Sequence, residues 1–247
     1  MPSTDAASAP RRTRAYQVGA LVVTCLVIAA VLVAVLSGSS TSQLRPGRPV
    51  PGAGAVLHML AGIPQRGYTL GSPHAPVQLT EFGDLQCPAC AAFSTEALPA
   101  IIARYVRPGR VAITFRPLAF IGADSARATA MAGALAPQGR AWQFIELMYR
   151  NQGLENSGYV TPTYLAALAS AIPGVRLARA LRQRHTPAAR AALTQATALA
   201  RALHIQSTPT FLIARSGEAP QRFSPDSLTE AGAFSGPIQR VLAGGRA

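Results

Sequence analysis

The sequence predicts an α/β domain with a helical insertion, preceded by one N-terminal transmembrane helix. Three observations support this prediction. An uncharged apolar run of 19 residues occupies positions 18–36. Later in the chain, two β-prone segments flank a segment of helical composition. A long block that also has helical composition then separates the second predicted strand from the third, at about 119–203.

The composition excludes several classes of protein. Hydrophobic residues make up 49% of the chain and charged residues 13%, whereas intrinsically disordered chains are poor in apolar residues and rich in charge. The sequence has one long uncharged apolar run, which excludes a protein that crosses the membrane several times. Three cysteines in 247 residues are too few for a fold held together by many disulfides.

The charge is strongly positive, because 23 basic and 10 acidic residues give a formal net charge of +13. Every basic residue is an arginine, the arginines are scattered along the chain, and aromatic residues make up only 6%. Proteins that bind nucleic acid usually cluster their basic residues or interleave them with aromatic ones. We therefore expect no nucleic-acid partner. The charge also suits a protein that works beside an anionic membrane surface.

The first 36 residues have the layout of a membrane anchor. Residues 1–17 are polar and carry three arginines, and residues 18–36 follow without a charge. As a helix, the apolar run would span roughly 28 Å, close to the hydrocarbon thickness of a bilayer. Because the arginines lie upstream, we expect a cytoplasmic N-terminus and an extracytoplasmic catalytic domain in the cell membrane. A signal peptide cleaved near residues 37–39 is the alternative.

Residues 37–66 are predicted to form a linker between the anchor and the folded domain. Prolines, glycines and serines are frequent in this segment, and such a composition favours an extended, unpacked chain. The folded domain is therefore expected to occupy residues 67–247, with its helical insertion at about 119–203.

Strands of this domain are predicted from alternating or β-branched runs, and helices from long stretches without turn residues. The predicted strands cover 77–83, 111–116 and 210–213, with a weak strand near Phe223. The predicted helices cover 91–106 with a kink at Pro99, 123–203 with breaks at 137–139, 151–161 and 172–174, and 231–242.

The segment Cys87-Pro88-Ala89-Cys90 lies at the start of the first predicted helix of the domain. On a helix the two sulfurs lie one turn apart and can close a small disulfide ring. At the helix start the Cys87 thiolate faces unpaired N–H groups, which lower its pKa. Cys87 is thus the predicted nucleophile and Cys90 the resolving cysteine. Pro88 suits the first helical turn, and both Pro88 and Ala89 are expected to contact the substrate.

A zinc site and a structural disulfide are the competing interpretations of this cysteine pair. Zinc in a structural site needs four ligands, and the four histidines form no closely spaced pair, so we expect no bound metal. A disulfide that closes so short a loop would restrain little chain entropy. Free buried cysteines are uncommon in an oxidising, exported compartment. A redox-active pair is therefore the preferred interpretation.

Glu81 is a candidate for proton transfer to and from the cysteines. It lies on the first predicted strand, in phase with Val77 and Leu79, and six residues before Cys87. That phase points inward, beneath the helix that carries the cysteines. Because burial raises the pKa of a carboxyl group, Glu81 is predicted to be the buried acceptor of the Cys90 proton. An exposed glutamate on an edge strand is the alternative.

Thr208-Pro209 immediately precedes the third predicted strand. A proline is tolerated at a strand start, and the cis form of an X–Pro bond costs only about 0.5–1 kcal/mol. We expect a cis bond here, with Pro209 packed against the cysteine pair and the Thr208 backbone available to an extended substrate. An ordinary trans proline in a loop is the alternative.

Together these motifs resemble the DsbA-like thiol–disulfide oxidoreductase family of the thioredoxin superfamily. The matching residues are Glu81-Phe82, Asp84, Gln86-Cys87-Pro88, Cys90, Leu98-Pro99, Arg116-Pro117-Leu118 and Ser207-Thr208-Pro209-Thr210-Phe211. The resemblance covers roughly residues 67–242 and implies a thioredoxin fold, dithiol–disulfide exchange, and Pro209 as the cis-proline beside the cysteines. DsbA itself has a histidine between its cysteines, which stabilises the thiolate, whereas Ala89 cannot.

The predicted function is therefore a membrane-anchored, extracytoplasmic enzyme that oxidises the thiols of exported proteins. The expected partners are exported proteins with cysteines and a membrane protein that reoxidises the pair, because the chain has no second cysteine pair and no flavin motif. No cofactor is expected. The alternatives are a membrane-tethered reductase or isomerase and, in a different class, a chaperone-like module that binds without turnover.

Overall fold

The computed structural model describes residues 44–246. Within this range, six strands form one sheet in the order β1-β2-β4-β3-β5-β6. The strands are β1 (Gln65–Arg66), β2 (Thr69–Leu70), β3 (Val77–Asp84), β4 (Val111–Leu118), β5 (Thr210–Arg215) and β6 (Gln221–Phe223). The helices are α1 (Ala53–Leu60), α2 (residues 88–106), α3 (Ala123–Leu135), α4 (Ala141–Arg150), α5 (Pro162–Ser170), α6 (Leu177–Gln183), α7 (Pro187–Ala202) and α8 (Gly232–Leu242).

The centre of the sheet consists of β3 between a parallel and an antiparallel neighbour. Strand β4 runs parallel to β3, which requires a crossover, and α2 supplies it. Strand β5 runs antiparallel on the other side, with Thr210 opposite Phe82 and Phe211 opposite Glu81. The start of β5 therefore lies level with the end of β3, where the chain leaves the sheet for the cysteine motif.

Helices cover both faces of the sheet. On one face, the rings of Phe93 in α2, Phe211 in β5 and Phe234 in α8 lie 4.8–5.0 Å apart. On the other, Phe82 and Leu212 belong to a smaller apolar cluster with residues of α7. Because successive residues of a strand face opposite sides, burial of Phe82 against α7 directs Glu81 towards the α2 face.

The cysteine-bearing helix α2 changes pitch along its length. Its segments Pro88–Ala92 and Leu98–Ile101 are α-helical, while Phe93–Ala97 and Ile102–Val106 are π-helical. Pro99 lacks the N–H that would bond the carbonyl one turn before it. The structure thus shows two wider turns flanking the position where the sequence predicts a kink.

The predicted α/β fold with a helical insertion is confirmed. Helices α3 to α7 all lie between β4 and β5, with an additional break at residues 184–186 that the sequence analysis does not predict. Gly133 is needed for the contact between α3 and α7, because a Cβ there would lie 1.9 Å from the Ala189 carbonyl oxygen. The insertion is thus a compact helical layer attached to the sheet.

The predicted linker at 37–66 is wrong for its described second half. Residues 53–60 form helix α1, whose Val56 and Leu60 are buried one turn apart, and β1 begins at Gln65. The Arg107 guanidinium also donates to the Met59 and Ala61 carbonyls, at 2.9 and 3.0 Å. The prolines and glycines on both sides of this two-turn helix favour a linker in the sequence, so the helix is not predicted. The folded domain thus begins before the predicted boundary at residue 67.

The predicted transmembrane helix at 18–36 lies outside the described residues. Between residues 44 and 246, none of the helices combines the length and the apolar character needed to cross a bilayer.

Candidate active site

A turn held by Asp84 connects the end of β3 to the start of α2. One carboxylate oxygen of Asp84 accepts from the Gln86 backbone N–H at 2.8 Å. The other accepts from the backbone N–H groups of Phe120 and Ile121, at 2.8 and 3.1 Å. Because Asp84 is fully buried and binds three backbone donors, it fixes the turn that delivers Cys87 to the helix start.

Cys87 and Cys90 have different access to solvent. Cys87 is the N-cap residue of α2, followed by Pro88 in the first helical turn. Its side chain is 7% exposed, whereas Cys90, one turn further in, is fully buried. Both are free thiols, so the structure represents the dithiol state. Pro88 is exposed and Ala89 is half-buried beside them.

The environment separates the acidities of the two thiols. A hydrogen bond from the Cys90 side chain is the main factor that lowers the pKa of Cys87, to about 6. Burial opposes this shift, and donors on Thr208 and the backbone N–H groups of Cys90 and Ala89 reinforce it. Burial raises the pKa of Cys90 well above its ordinary value, and the neighbouring Cys87 and Glu81 add to the increase. Negative charge therefore accumulates on the accessible sulfur.

The loop before β5 lies directly against the accessible sulfur. The Thr208–Pro209 peptide bond is cis, as the sequence predicts. The Cys87 thiol donates to the Thr208 carbonyl oxygen at 3.3 Å, although the two residues are 121 positions apart. Thr208 and Pro209 are both half-buried, so this backbone borders the space that a ligand of Cys87 would enter.

Glu81 lies on the buried side of the cysteine pair. The central position of β3 leaves its side chain 2% exposed, which excludes the alternative of a solvated glutamate on an edge strand. Burial raises the pKa of Glu81 well above its ordinary value, and the charges of Glu146 and Cys87 raise it further. Gly83 provides the room, because a Cβ there would lie 2.9 Å from Glu81 Oε1.

The insertion contributes groups that the sequence analysis did not single out. Gln152 donates from its side-chain amide to the Leu85 and Cys87 carbonyls, at 3.0 and 3.2 Å. The Gln86 amide donates to the Tyr159 hydroxyl at 2.7 Å. These contacts attach the loop between α4 and α5 to the active-site turn. No local sequence pattern predicts these contacts, because each joins positions about 70 residues apart.

Glu146 is a second carboxylate that the sequence analysis did not single out. It lies on α4, is fully buried, and accepts a hydrogen bond from the Ser94 hydroxyl at 2.9 Å. The sequence carries a signal for it, because this glutamate stands between two apolar residues, Ile145 and Leu147, in a largely apolar helix.

Between residues 44 and 246, no three His, Cys, Asp or Glu side chains converge as metal ligands would.

Comparison with known proteins agrees with this geometry. The family model described as Thioredoxin matches residues 65–224. The chain belongs to the thioredoxin family. A probable disulfide bond formation protein D of Bacillus cereus is 28% identical over 148 residues, which are 59% of this chain and 68% of the relative. Disulfide bond formation protein D of Bacillus subtilis is 26% identical over 146 residues, 58% of this chain and 66% of that protein.

Solved structures share the fold. Oxidised BdbD from Bacillus subtilis superimposes with a TM-score of 0.63 at 21% identity, covering 73% of this chain and 98% of that one. Alpha-DsbA1 from Wolbachia pipientis gives a TM-score of 0.57 at 19% identity, covering 75% and 93%. The resemblance predicted from the sequence is thus confirmed, and the protein is a DsbA-like thiol–disulfide oxidoreductase.

Proposed function

We propose that the protein oxidises cysteine pairs in exported proteins through Cys87 and Cys90. The observation that carries this proposal is the pKa of Cys87, lowered to about 6 on a sulfur at the mouth of the site. Reduction of the Cys87–Cys90 disulfide produces this thiolate, so every interaction that stabilises it also stabilises the reduced form. Stabilising the dithiol in this way makes the disulfide a stronger oxidant.

The oxidation of a substrate proceeds in two exchange steps. A substrate thiolate attacks Cys87 Sγ, the Cys87–Cys90 bond breaks, and its electron pair leaves on Cys90 Sγ. The second substrate thiolate then attacks the substrate sulfur of the mixed disulfide and releases Cys87 as a thiolate. Two electrons pass from the substrate to the enzyme, and the substrate leaves with a disulfide.

Glu81 supplies the proton that the first step requires. The Cys90 thiolate forms in a buried environment that strongly disfavours charge. Burial raises the pKa of the Glu81 carboxyl well above its ordinary value, so the group keeps its proton to higher pH than an exposed glutamate and can transfer it to the leaving sulfur. When the pair is reoxidised, the same proton returns from Cys90 to the Glu81 carboxylate.

The substrate lies in an extended form along the Thr208–Pro209 segment. The Thr208 carbonyl oxygen, which accepts the Cys87 thiol in the dithiol state, is placed to accept a backbone N–H of a bound peptide instead. Pairing through the main chain tolerates many sequences. Exposed Pro88 and half-buried Ala89 form the opposite side of this contact. Such recognition suits an enzyme with many different protein substrates.

The catalytic domain works outside the cytoplasm, held at the membrane by residues 18–36. The apolar run and the upstream arginines support the anchor. The disulfide bond formation proteins among the relatives support catalysis outside the cytoplasm, where disulfides persist. A membrane redox protein reoxidises Cys87 and Cys90. N-terminal sequencing of the protein purified from membranes tests the anchor: an intact start is expected, and a start near Ser39 would contradict it.

The direction of exchange is tested with a single turnover. Oxidised protein is mixed in equal amount with reduced, unfolded ribonuclease A, and the disulfides of both proteins are followed. We expect ribonuclease to gain disulfides while Cys87 and Cys90 become thiols, and the C87S variant to be inactive. Efficient reduction of insulin by the dithiol form, with no oxidation of ribonuclease, would overturn the proposal in favour of a reductase. Oxidation by C87S equal to the wild type would remove the cysteine pair from the function.

A further inference from the structure

Glu146 occupies a buried position for which the exchange steps above give no role. Its side chain is fully buried on α4, and one carboxyl oxygen accepts from the Ser94 hydroxyl at 2.9 Å. The other oxygen has no hydrogen-bond partner among residues 44–246. Burial of an ionised carboxylate with an unpaired oxygen costs folding free energy, and protonation of the group reduces that cost. A group retained despite this cost is a candidate for a functional role.

The position of Glu146 relates it to the cysteines through α2. Ser94 follows Cys90 by four residues, so both lie on one face of that helix. The hydrogen bond from Ser94 therefore joins Glu146 to the face of α2 that also carries the resolving cysteine. Glu146 is fully buried there, one helical turn further along α2 than Cys90.

The same helix also contacts the surroundings of Glu81. Tyr149, one turn after Glu146, donates to the Asp84 carbonyl at 3.3 Å. A Cβ on Gly83 would lie 3.0 Å from the Tyr149 hydroxyl and 2.9 Å from Glu81 Oε1, so these two oxygens border the same small space. Like one oxygen of Glu146, Glu81 Oε1 has no hydrogen-bond partner among residues 44–246.

Two charged or titratable groups interact electrostatically with Glu146. They are Glu81 on β3, whose pKa Glu146 raises, and Arg150 on α4, which lowers the pKa of Glu146. Burial raises the pKa of Glu146 to about 8, with Ser94 and Arg150 opposing the shift. Two carboxyl groups buried near each other ionise together only at a high cost in free energy, so such a pair retains a proton over a wide range of pH.

We propose that Glu146 is a positioning residue that acts through Glu81, forming with it a buried acid pair that keeps a proton available for Cys90. When the Cys87–Cys90 bond breaks, one proton moves from a carboxyl oxygen of Glu81 to Cys90 Sγ. The negative charge then resides on the acid pair until reoxidation returns the proton. Ser94 sets how readily Glu146 ionises, and so how strongly it holds the proton on Glu81.

The inference rests on exchange at Cys87 and Cys90 and is independent of the direction proposed above. Its test is the potential of this cysteine couple, measured against glutathione from about pH 5 to about pH 9. E146Q removes the negative charge of Glu146, which repels a negative charge on Glu81. S94A removes the hydroxyl donor that favours the ionised form of Glu146. Both changes make the Glu81 proton easier to lose. A plot of potential against pH changes slope at the pH where Glu81 ionises. We therefore expect this change of slope to move to lower pH, by about one unit in E146Q and less in S94A.

Controls separate this effect from a loss of packing. Q143M alters a buried neutral side chain on the same helix, and its pH profile should superimpose on that of the wild type. Because Glu146 is proposed to act through Glu81, E146Q should change nothing in an E81Q background. An E146Q profile identical to the wild type, or an equal shift with and without Glu81, would overturn the inference. If E146Q does not fold, S94A tests the same inference, because its change of slope should also move to lower pH.

Discussion

The sheet half of the domain and its helical insertion contribute different parts of the site. β3, α2 and the start of β5 supply both sulfurs, Glu81 and the cis-proline. The insertion supplies Glu146, which accepts a hydrogen bond from Ser94 on α2, and the amide of Gln152, which donates to the Cys87 carbonyl. The thioredoxin part thus carries the exchanging sulfurs and Glu81, while the insertion contacts the helix and the turn that hold them.

The largest expected effect is the loss of either cysteine, which tests the thioredoxin part. C87S removes the attacked sulfur, and we expect no detectable oxidation of ribonuclease. C90S keeps that sulfur but cannot resolve the mixed disulfide, so covalent complexes with substrate should accumulate on non-reducing gels. Equal behaviour of the two variants would contradict the distinct roles assigned to the accessible and the buried sulfur.

Replacing Glu81 removes the proton donor and leaves both sulfurs in place. We expect E81Q to slow exchange by about 10²-fold near neutral pH, measured by rapid mixing with a thiol peptide. Because burial raises the pKa of Glu81 well above its ordinary value, the wild-type acid keeps its proton to higher pH than an exposed glutamate and loses it as the pH rises further. The ratio of wild-type to E81Q rates should therefore fall towards alkaline pH.

Exposed Glu96, on the outer side of α2, provides the matched control for this prediction. E96Q removes the same charge from the same region and should exchange at the wild-type rate. Rates of E81Q that match the wild type at every pH would exclude Glu81 from the mechanism.

A smaller effect is expected on stability, at the contact between the two halves. In G83A the added Cβ would lie 2.5 Å from a Phe115 ring carbon and 3.0 Å from the Tyr149 hydroxyl. Crowding of this kind typically costs about 1–3 kcal/mol, which urea unfolding can measure. G54A in α1, where nothing lies within 4 Å of the new Cβ, should not destabilise the protein. Equal unfolding midpoints for G83A and wild type would refute this close contact.

The smallest effect is expected where the insertion supports the active-site turn. Q152A removes two hydrogen bonds to backbone carbonyls, a loss of about 1 kcal/mol in the free energy of unfolding. Hydrogen exchange should show faster opening of residues 85–87. Q206A, at an exposed position, should leave both quantities unchanged. Unaltered protection of the turn in Q152A would indicate that the sheet half holds it alone.

The sequence predicts much of the sheet half because its signals are local. Cys87 and Cys90 are three residues apart in one motif, Glu81 is in phase with buried strand residues, and Pro209 precedes a β-prone run. Each of these signals depends on neighbouring positions only. The succession of β3, β4, β5 and β6 along the chain and the position of the insertion follow from the same short-range patterns, and the structure agrees with them. The two-residue strands β1 and β2 are not predicted.

The contributions of the insertion and of α1 escape such reasoning because they depend on tertiary packing. Glu146 meets Ser94 across 52 positions, and Gln152 meets Cys87 across 65. No periodicity within either helix indicates these partners. Helix α1 is missed for a related reason, since it is a two-turn helix between prolines and glycines whose two buried residues, Val56 and Leu60, are covered only when the domain folds.

The central claim is that the site stabilises the Cys87 thiolate and thereby makes the disulfide oxidising. The equilibrium of the couple with glutathione at neutral pH tests it most directly. We expect a potential less negative than that of thioredoxin, about −270 mV. Titration of thiolate absorbance should place the pKa of Cys87 at about 6. A thioredoxin-like potential together with an unshifted Cys87 pKa would contradict the account.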